Sequence, residues 1–159
     1  MGISKEVFHA TAGFQFDRYS EDIELSLRIR KAGFQSWLIP DALVYHKRRD
    51  TLPGFFRQVR NFGRGRIEAA RVHSGTLRPT HFLPLIFSLG LVCGLCIGFV
   101  NALLLNATLL LYGCYLLLIF CGALISTHSL SAALLAVPSA IVQLSGYAWG
   151  FLSALVKSR

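Results

Sequence analysis

The feature that most constrains this chain is a long segment without Lys, Arg, Asp or Glu, which runs from residue 79 to residue 156. A helix needs about 20 apolar residues to cross a bilayer, so the segment has room for three such helices. Polar breaks at Asn106 and at residues 126–129 divide it into predicted spans over residues 82–105, 107–125 and 131–156. The segment does not fit the buried core of a water-soluble protein, because the helices of such a core would need charged faces towards water.

The distribution of basic residues predicts the orientation of these spans. Fourteen of the sixteen Lys and Arg residues precede residue 79, and basic segments tend to stay on the cytoplasmic side of a membrane. We therefore expect a multi-pass protein whose N-terminal part is cytoplasmic. Three spans would leave Lys157 and Arg159 outside, against this tendency, and a re-entrant or interfacial course of the third span would resolve the conflict.

Residues 51–78 have the pattern of an amphipathic helix beside the membrane. Thr51 and the Leu-Pro that follows it make a typical helix start, and apolar side chains then recur at helical spacing as far as Phe62. We interpret the segment as an interfacial helix on the lipid headgroups. The alternative is a helix packed on a catalytic domain. The arginines of residues 51–78 fit a solvated or lipid-facing basic stripe as well as a diphosphate-binding site. They are Arg57, Arg60, Arg64 and Arg66.

An acidic helix is predicted in the polar N-terminal part. Ser20 is a suitable N-cap, Glu21 and Asp22 fall in the first turn, where the helix dipole favours negative charge, and Gly33 is placed to end the helix. On these features alone the segment is a capped surface helix, on whose exposed face Glu24 and Arg28 form an i,i+4 ion pair.

Two short strands are predicted after this helix. Residues 34–39 and 42–46 are rich in apolar and aromatic side chains, and the turn dipeptide Pro40-Asp41 separates them.

Several of these features occur in an order that is typical of one enzyme family. An acidic pair opens a helix, a Gly-aromatic step and a Pro-Asp turn follow, a strand ends in His46, and Gln58 begins a Gln-x-x-x-aromatic-Gly-Arg-Gly sequence. In this the chain resembles the second half of family 2 glycosyltransferases. The closest likeness is to membrane-anchored bacterial enzymes that build exopolysaccharide, such as the succinoglycan-type transferases.

The resemblance implies a fold class and a location. Residues 1–50 would be the C-terminal part of an α/β nucleotide-sugar transferase domain of the GT-A type. Residues 51–78 would form the interfacial helix and linker, and residues 79–159 the transmembrane region. The enzyme would lie in the inner (cytoplasmic) membrane.

The resemblance also assigns roles to residues. Asp22, the aspartate of the acidic pair, would be the general base that deprotonates the acceptor hydroxyl, and Glu21 its orienting neighbour. The segment from Gln58 matches a motif of processive members, but Asn61 and Phe62 stand where that motif has Arg and Trp. This fits a transferase that adds one sugar to a lipid-linked acceptor. The predicted substrate-binding residues are Gln58, Arg60, Phe62, Gly63 and Arg64.

His46 is a candidate metal ligand. A His at the matching place binds manganese in the polypeptide N-acetylgalactosaminyltransferases, where the cation neutralises the departing nucleotide diphosphate. The complete enzyme would then use a divalent metal, Mn or Mg. The alternative is a structural or phosphate-facing role, because a basic run over residues 47–49 follows directly.

The donor-binding half of the family is not found in the sequence. There is no early aspartate to read the base and no Asp-x-Asp motif, so we expect a C-terminal portion that is incomplete alone. A preceding segment or a separate chain would carry the donor side. The alternative is a small non-enzymatic three-span subunit for anchoring or assembly.

The expected partners are therefore membrane lipid, and in the complete enzyme a nucleotide sugar and a lipid-linked acceptor. The net charge of +8 is not accompanied by a nucleic-acid-binding motif, and the membrane explains the basic residues better. Cys93 and Cys96 lie in an apolar span without a neighbouring His or charge, so we interpret them as packing residues.

Overall fold

The structure is a computed structural model that describes residues 2–15, 21–46 and 50–157. Within these ranges the chain forms helices and no β-strand, so the predicted α/β fold class is wrong. A 3-10 turn, Pro79–Phe82, leads directly into α4. The helices are Lys5–Ala10 (α1), Glu21–Lys31 (α2), Leu52–Val72 (α3), Leu83–Gly98 (α4), Ala102–Thr127 (α5) and Leu130–Val156 (α6).

The two predicted strands are an irregular segment around a turn. The N–H of Ala42 donates to the carbonyl of Ile39 at 3.2 Å, which places the turn at Pro40-Asp41 as the sequence suggests. The flanking side chains are exposed, with Trp37 at 82% and Tyr45 at 101%. A strand is stabilised by hydrogen bonds to a neighbour, and the described residues offer these segments no neighbouring strand.

Three helices are long and apolar enough to cross a membrane: Pro79–Gly98 with its leading 3-10 turn, Ala102–Thr127 and Leu130–Val156. The three apolar helices predicted from the sequence are therefore present, although the first break is displaced. Asn106 lies inside α5, and the chain turns at residues 99–101 instead. There the side chain of Asn101 accepts the N–H of Leu104 at 3.1 Å and caps α5.

Helices α4 and α5 form a close antiparallel hairpin. A methyl group on Gly94 would overlap the side chain of Thr108, and one on Gly98 would overlap Leu105. Gly90, one turn before Gly94, faces α5 as well. The glycine spacing therefore serves close helix contact, as small residues do in membrane helices.

Helix α6 does not continue this up-and-down pattern. If it ran antiparallel to α5 throughout, Phe151 would be level with the far end of α4. Instead its ring packs edge-on against Phe82, just before α4, with ring centroids 5.0 Å apart. Leu144 and Ser145 lie against the middle of the hairpin. Helix α6 thus crosses the hairpin obliquely, starting where α5 returns and ending near the start of α4.

The two ends of the apolar segment meet at Arg71, in the last turn of α3. Its guanidinium donates to the carbonyl oxygens of Ala154 at 2.6 Å and Lys157 at 2.9 Å. Arg71 precedes the apolar segment and Lys157 follows it, so both ends lie at the same end of the helix bundle.

Helix α3 packs along the second half of α6 through two glycines. A Cβ on Gly63 would overlap the carbonyl oxygen of Tyr147, and a Cβ on Gly150 would overlap that of Arg60. Ile67 is buried beside this contact, in a cluster with Phe151 and Ala154. The apolar face of α3 is therefore used against α6.

Candidate functional site

The acidic pair begins α2 and faces solvent. Glu21 and Asp22 are both exposed, and the predicted cap Ser20 lies outside the described residues. The backbone carbonyl of Asp22 accepts the hydroxyl of Ser26 at 2.6 Å. Asp22 borders an open cavity of about 230 Å³, together with Ile23, Ser26, Leu27 and Arg30.

Glu24, expected on an exposed face, is fully buried at 0% exposure. Its two carboxylate oxygens accept from Arg28 at 2.6 and 2.7 Å. Arg28 also donates to the backbone carbonyls of Thr11 and Gly13, which ties the segment after α1 to α2. The hydrogen bonds and charge of Arg28 lower the pKa of Glu24 below its ordinary value, against the opposing effect of burial.

His73, the C-cap of α3, extends this buried network. Its Nε2 lies 3.0 Å from Glu24 Oε1, and its Nδ1 lies 3.1 Å from the ammonium of Lys31. An ammonium can only donate, so Nδ1 accepts and Nε2 carries the hydrogen that Glu24 accepts. A neutral His73 therefore joins α2 to the end of α3 and holds Lys31 in place.

A cationic pocket, defined by the residues listed below, lies between α2, α3 and the segment that leads into α4. Its volume is about 610 Å³. Among the described residues that line it, four are Arg or Lys and none is acidic. The N–H of Arg78 donates to His81 Nδ1 at 3.1 Å, which leaves the Nε2 of His81 as a donor. The lining residues are Ile23, Leu27, Arg30, Lys31, Arg66, Ala69, Gly75, Thr76, Arg78, Thr80 and His81.

The acidic and cationic features are adjacent. Ile23, Leu27 and Arg30 line both the cavity at Asp22 and the cationic pocket. A carboxylate that could accept a proton therefore stands beside a pocket suited to a phosphate or diphosphate group.

The predicted substrate-binding residues of α3 are placed differently. None of them lines either of these two cavities. Gly63 and the backbone of Arg60 contact α6, Arg64 pairs with Glu68 at 2.7 Å, and Phe62 is half exposed. Gln58 lies on the same helix and is partly buried. Of the four arginines in the predicted basic stripe, Arg66 is the one that lines the cationic pocket.

His46 is exposed at the end of the irregular segment. In the part of the chain that the structure describes, no three His, Cys, Asp or Glu side chains lie together so that they could hold a metal ion. The described residues therefore do not fit a divalent cation by themselves. The basic run after His46 lies outside the described ranges.

The cationic pocket could not be predicted as a unit from the sequence, because its basic residues come from separate elements. Arg30 and Lys31 end α2, Arg66 is in α3, and Arg78 and His81 precede α4. Gly75, in the turn after α3, has a φ of 80°, a left-handed conformation that glycine adopts without strain.

Comparison with known proteins gives one result. Neither a curated protein nor a solved structure matches the chain. The model of the family described as "Glycosyl transferase family group 2" matches residues 1–152. This match covers the acidic helix, the cationic pocket and almost all of the three apolar helices, so the chain belongs to glycosyl transferase family group 2.

Proposed function

We propose that this chain is the acceptor-side part of a membrane-bound glycosyltransferase of the inner membrane. The reaction is transfer of a sugar from a nucleotide-sugar donor to a lipid-linked or polysaccharide acceptor, within exopolysaccharide synthesis. The observation that carries the proposal is the position of Asp22, which lies at an open cavity that shares three lining residues with the cationic pocket.

Asp22 is the proposed catalytic residue. A general base must be ionised and within reach of the acceptor hydroxyl. Asp22 is in the first turn of α2, where the helix dipole favours the carboxylate, and the open cavity leaves room for an acceptor. Glu21, exposed in the same turn, is the proposed orienting neighbour.

The donor side lies outside this segment in the proposal. The exposed apolar side chains around Trp37 and Tyr45 are the surface that we expect it to cover, whether it is a preceding segment or a separate chain. The divalent metal of the family is likewise assigned to residues of the donor side, because the described residues do not group into a metal site. His46 would at most add one ligand to that set.

The test is sugar transfer in membranes that contain the complete enzyme. Membranes are incubated with radiolabelled uridine or guanosine diphosphate hexoses, and the label is measured in extracted lipid and in polymer. Asp22→Asn should lower the turnover rate by about 10²–10⁴-fold, because a positioned general base contributes a factor of this size. Glu6→Gln, at an exposed acid of α1 that lines neither cavity, is the control and should keep the parental rate.

Glu21→Gln should have a smaller effect than Asp22→Asn, since its proposed role is orientation. If Asp22→Asn retains turnover while Glu21→Gln abolishes it, the base is assigned to the wrong acid. If the complete enzyme transfers no sugar from any donor, the anchoring alternative is favoured.

A further inference from the structure

We propose that the cationic pocket binds the phosphate or diphosphate head of a membrane lipid, whose chain lies in an apolar cavity further along α4. The identification of this lipid as the sugar acceptor rests on the proposed function. The binding site itself rests on the charges, cavities and helix positions described below.

The pocket is built to hold an anion. Arg30, Lys31, Arg66 and Arg78 contribute four positive charges, and no acidic side chain lines the pocket in the part of the chain that the structure describes. Arg30 and Arg78 are exposed, whereas Arg66 is partly buried. Lys31 is held by its contact with His73. Charge-assisted hydrogen bonds from arginine suit phosphate oxygens in both geometry and strength.

The pocket lies where lipid headgroups are expected. Thr80 and His81, in the 3-10 turn that opens the first candidate span, form part of its wall. Polar headgroups occupy the zone just outside the hydrocarbon core. A ligand whose phosphate sits here is therefore positioned to place its chain along α4.

An apolar cavity is available for that chain. It measures about 430 Å³ and is open, between α4, α5 and α6, with Phe87, Leu91, Tyr112 and Leu144 among its lining residues. Phe87 is six residues after His81, which is about 9 Å along a helix. The charged pocket and the apolar cavity thus follow one another from headgroup depth into the membrane.

The lining does not suit a nucleotide as well as it suits a lipid phosphate. Among the described residues, no Phe, Tyr or Trp lines the cationic pocket to stack on a base, and no Asp or Glu lines it to accept from ribose hydroxyls. The anion is recognised by its phosphate alone, and the apolar cavity supplies the preference for a lipid.

The experiment measures binding of a fluorescent polyprenyl phosphate to the full chain in phosphatidylcholine nanodiscs. The double variant Arg66→Gln, Arg78→Gln should bind at least about tenfold more weakly, because it removes two positive charges that make charge-assisted hydrogen bonds to the phosphate. Arg57→Gln removes an exposed charge from α3 outside the pocket and should bind like the parent. Arg78→Gln alone, at an exposed side chain, gives the same test if the double variant does not fold.

Competitors and a cavity variant identify the ligand. Unlabelled polyprenyl phosphate should displace the probe, while inorganic diphosphate and neutral polyprenol should each compete at least about tenfold less well. Gly113→Leu should weaken lipid binding by filling the apolar cavity, since nothing lies within 4 Å of a Cβ at Gly113 and the fold can accept the side chain.

Three results would overturn the proposal. The first is that the double variant and Arg78→Gln both bind the probe like the parent. The second is that inorganic diphosphate displaces the probe as well as unlabelled polyprenyl phosphate does. The third is that polyprenol competes as well as polyprenyl phosphate does. If the parental complete enzyme binds the probe but transfers no sugar from any donor, the proposed function is contradicted and the lipid site stands.

Discussion

At the scale of single residues, the buried network around Glu24 connects the site to the rest of the molecule. Arg28 secures the segment after α1, and His73 secures the end of α3. Lys31, which lines the cationic pocket, is the outer end of the same chain of hydrogen bonds. One of the pocket's charges, Lys31, is thus positioned through His73 by a carboxylate that does not itself line the pocket.

Replacing Glu24 should destabilise the protein strongly. Glu24→Gln removes the negative charge and replaces one of the two accepting oxygens by an amide donor that faces other donors. Breaking one partner of a buried ion pair costs about 3–5 kcal/mol. The change is measured as a lower midpoint of thermal unfolding by circular dichroism in detergent. Glu6→Gln, at an exposed acid of α1, is the control. An unchanged midpoint for Glu24→Gln would mean that the network is not formed.

The same carboxylate predicts a pH dependence. The pKa of Glu24 in the folded chain is below its ordinary value of 4.5. A carboxylate with a lowered pKa contributes stability that is fully present above its unfolded pKa and is lost as the pH falls through its folded pKa. The parent should therefore lose thermal stability as the pH falls below about 4.5, and Glu24→Gln should lose less over the same range. Parallel pH curves for the two proteins would contradict this assignment.

The sequence was sufficient to predict that Glu21 and Asp22 lie in the first turn of a helix. It was not sufficient to predict that Glu24 is buried. Local spacing shows that Glu24 and Arg28 are one turn apart, which holds on any helix face. The partner that buries the pair, His73, is 49 residues away. Such a tertiary contact leaves no periodic signal in the sequence.

At the scale of elements, the membrane helices could be predicted from the sequence, whereas the prediction of two strands was wrong. A run of apolar residues without charges fixes a membrane helix by itself, because the helix satisfies its own backbone hydrogen bonds. A strand needs a neighbour, and the apolar pattern over residues 34–46 does not provide one. Because the described residues provide no neighbouring strand, the side chains around Trp37 and Tyr45 are exposed.

The contact between α3 and α6 depends on glycine at Gly63 and Gly150. Gly150→Ala would place a methyl group on the carbonyl oxygen of Arg60, and overpacking of this kind costs about 1–3 kcal/mol. We expect a lower unfolding midpoint in detergent. Gly122→Ala in α5 is the matched control, because nothing lies within 4 Å of a Cβ there.

The control should be neutral or slightly stabilising, since alanine is the better helix former by up to about 1 kcal/mol. If Gly150→Ala and Gly122→Ala have the same midpoint, α3 and α6 are not in backbone contact. The resemblance gave Gly63 a role in substrate binding, whereas the structure gives it a packing contact that the motif could not reveal.

At the scale of the whole molecule, the polar part and the end of the apolar part form one unit. Helix α3 lies on α6, and Arg71 bonds to the carbonyls of Ala154 and Lys157. An odd number of complete crossings between residues 79 and 156 would put these groups on opposite sides of a membrane. We therefore expect α4 and α5 to cross and α6 to lie obliquely, with both ends on one side.

This arrangement also removes the conflict in the distribution of charge. With three crossings, Lys157 would lie on the opposite side of the membrane from the fourteen basic residues that precede the apolar segment. If α4 and α5 cross and α6 begins and ends on the starting side, Lys157 lies on the same side as these residues. Helix α6 has the lowest mean hydropathy of the three candidate spans, 1.4 against 2.0 and 2.3.

The proposed site depends on the two ends of the apolar segment lying on one face of the membrane, and cysteine accessibility tests this most directly. In a full-length background with the four native cysteines replaced, Ser74→Cys, Val100→Cys and Lys157→Cys are labelled one at a time with a membrane-impermeant maleimide. Intact cells are compared with inside-out vesicles. We expect residues 74 and 157 to be labelled in the vesicles, from the cytoplasmic side, and residue 100 in the intact cells. Labelling of residues 74 and 157 from opposite sides would contradict the account.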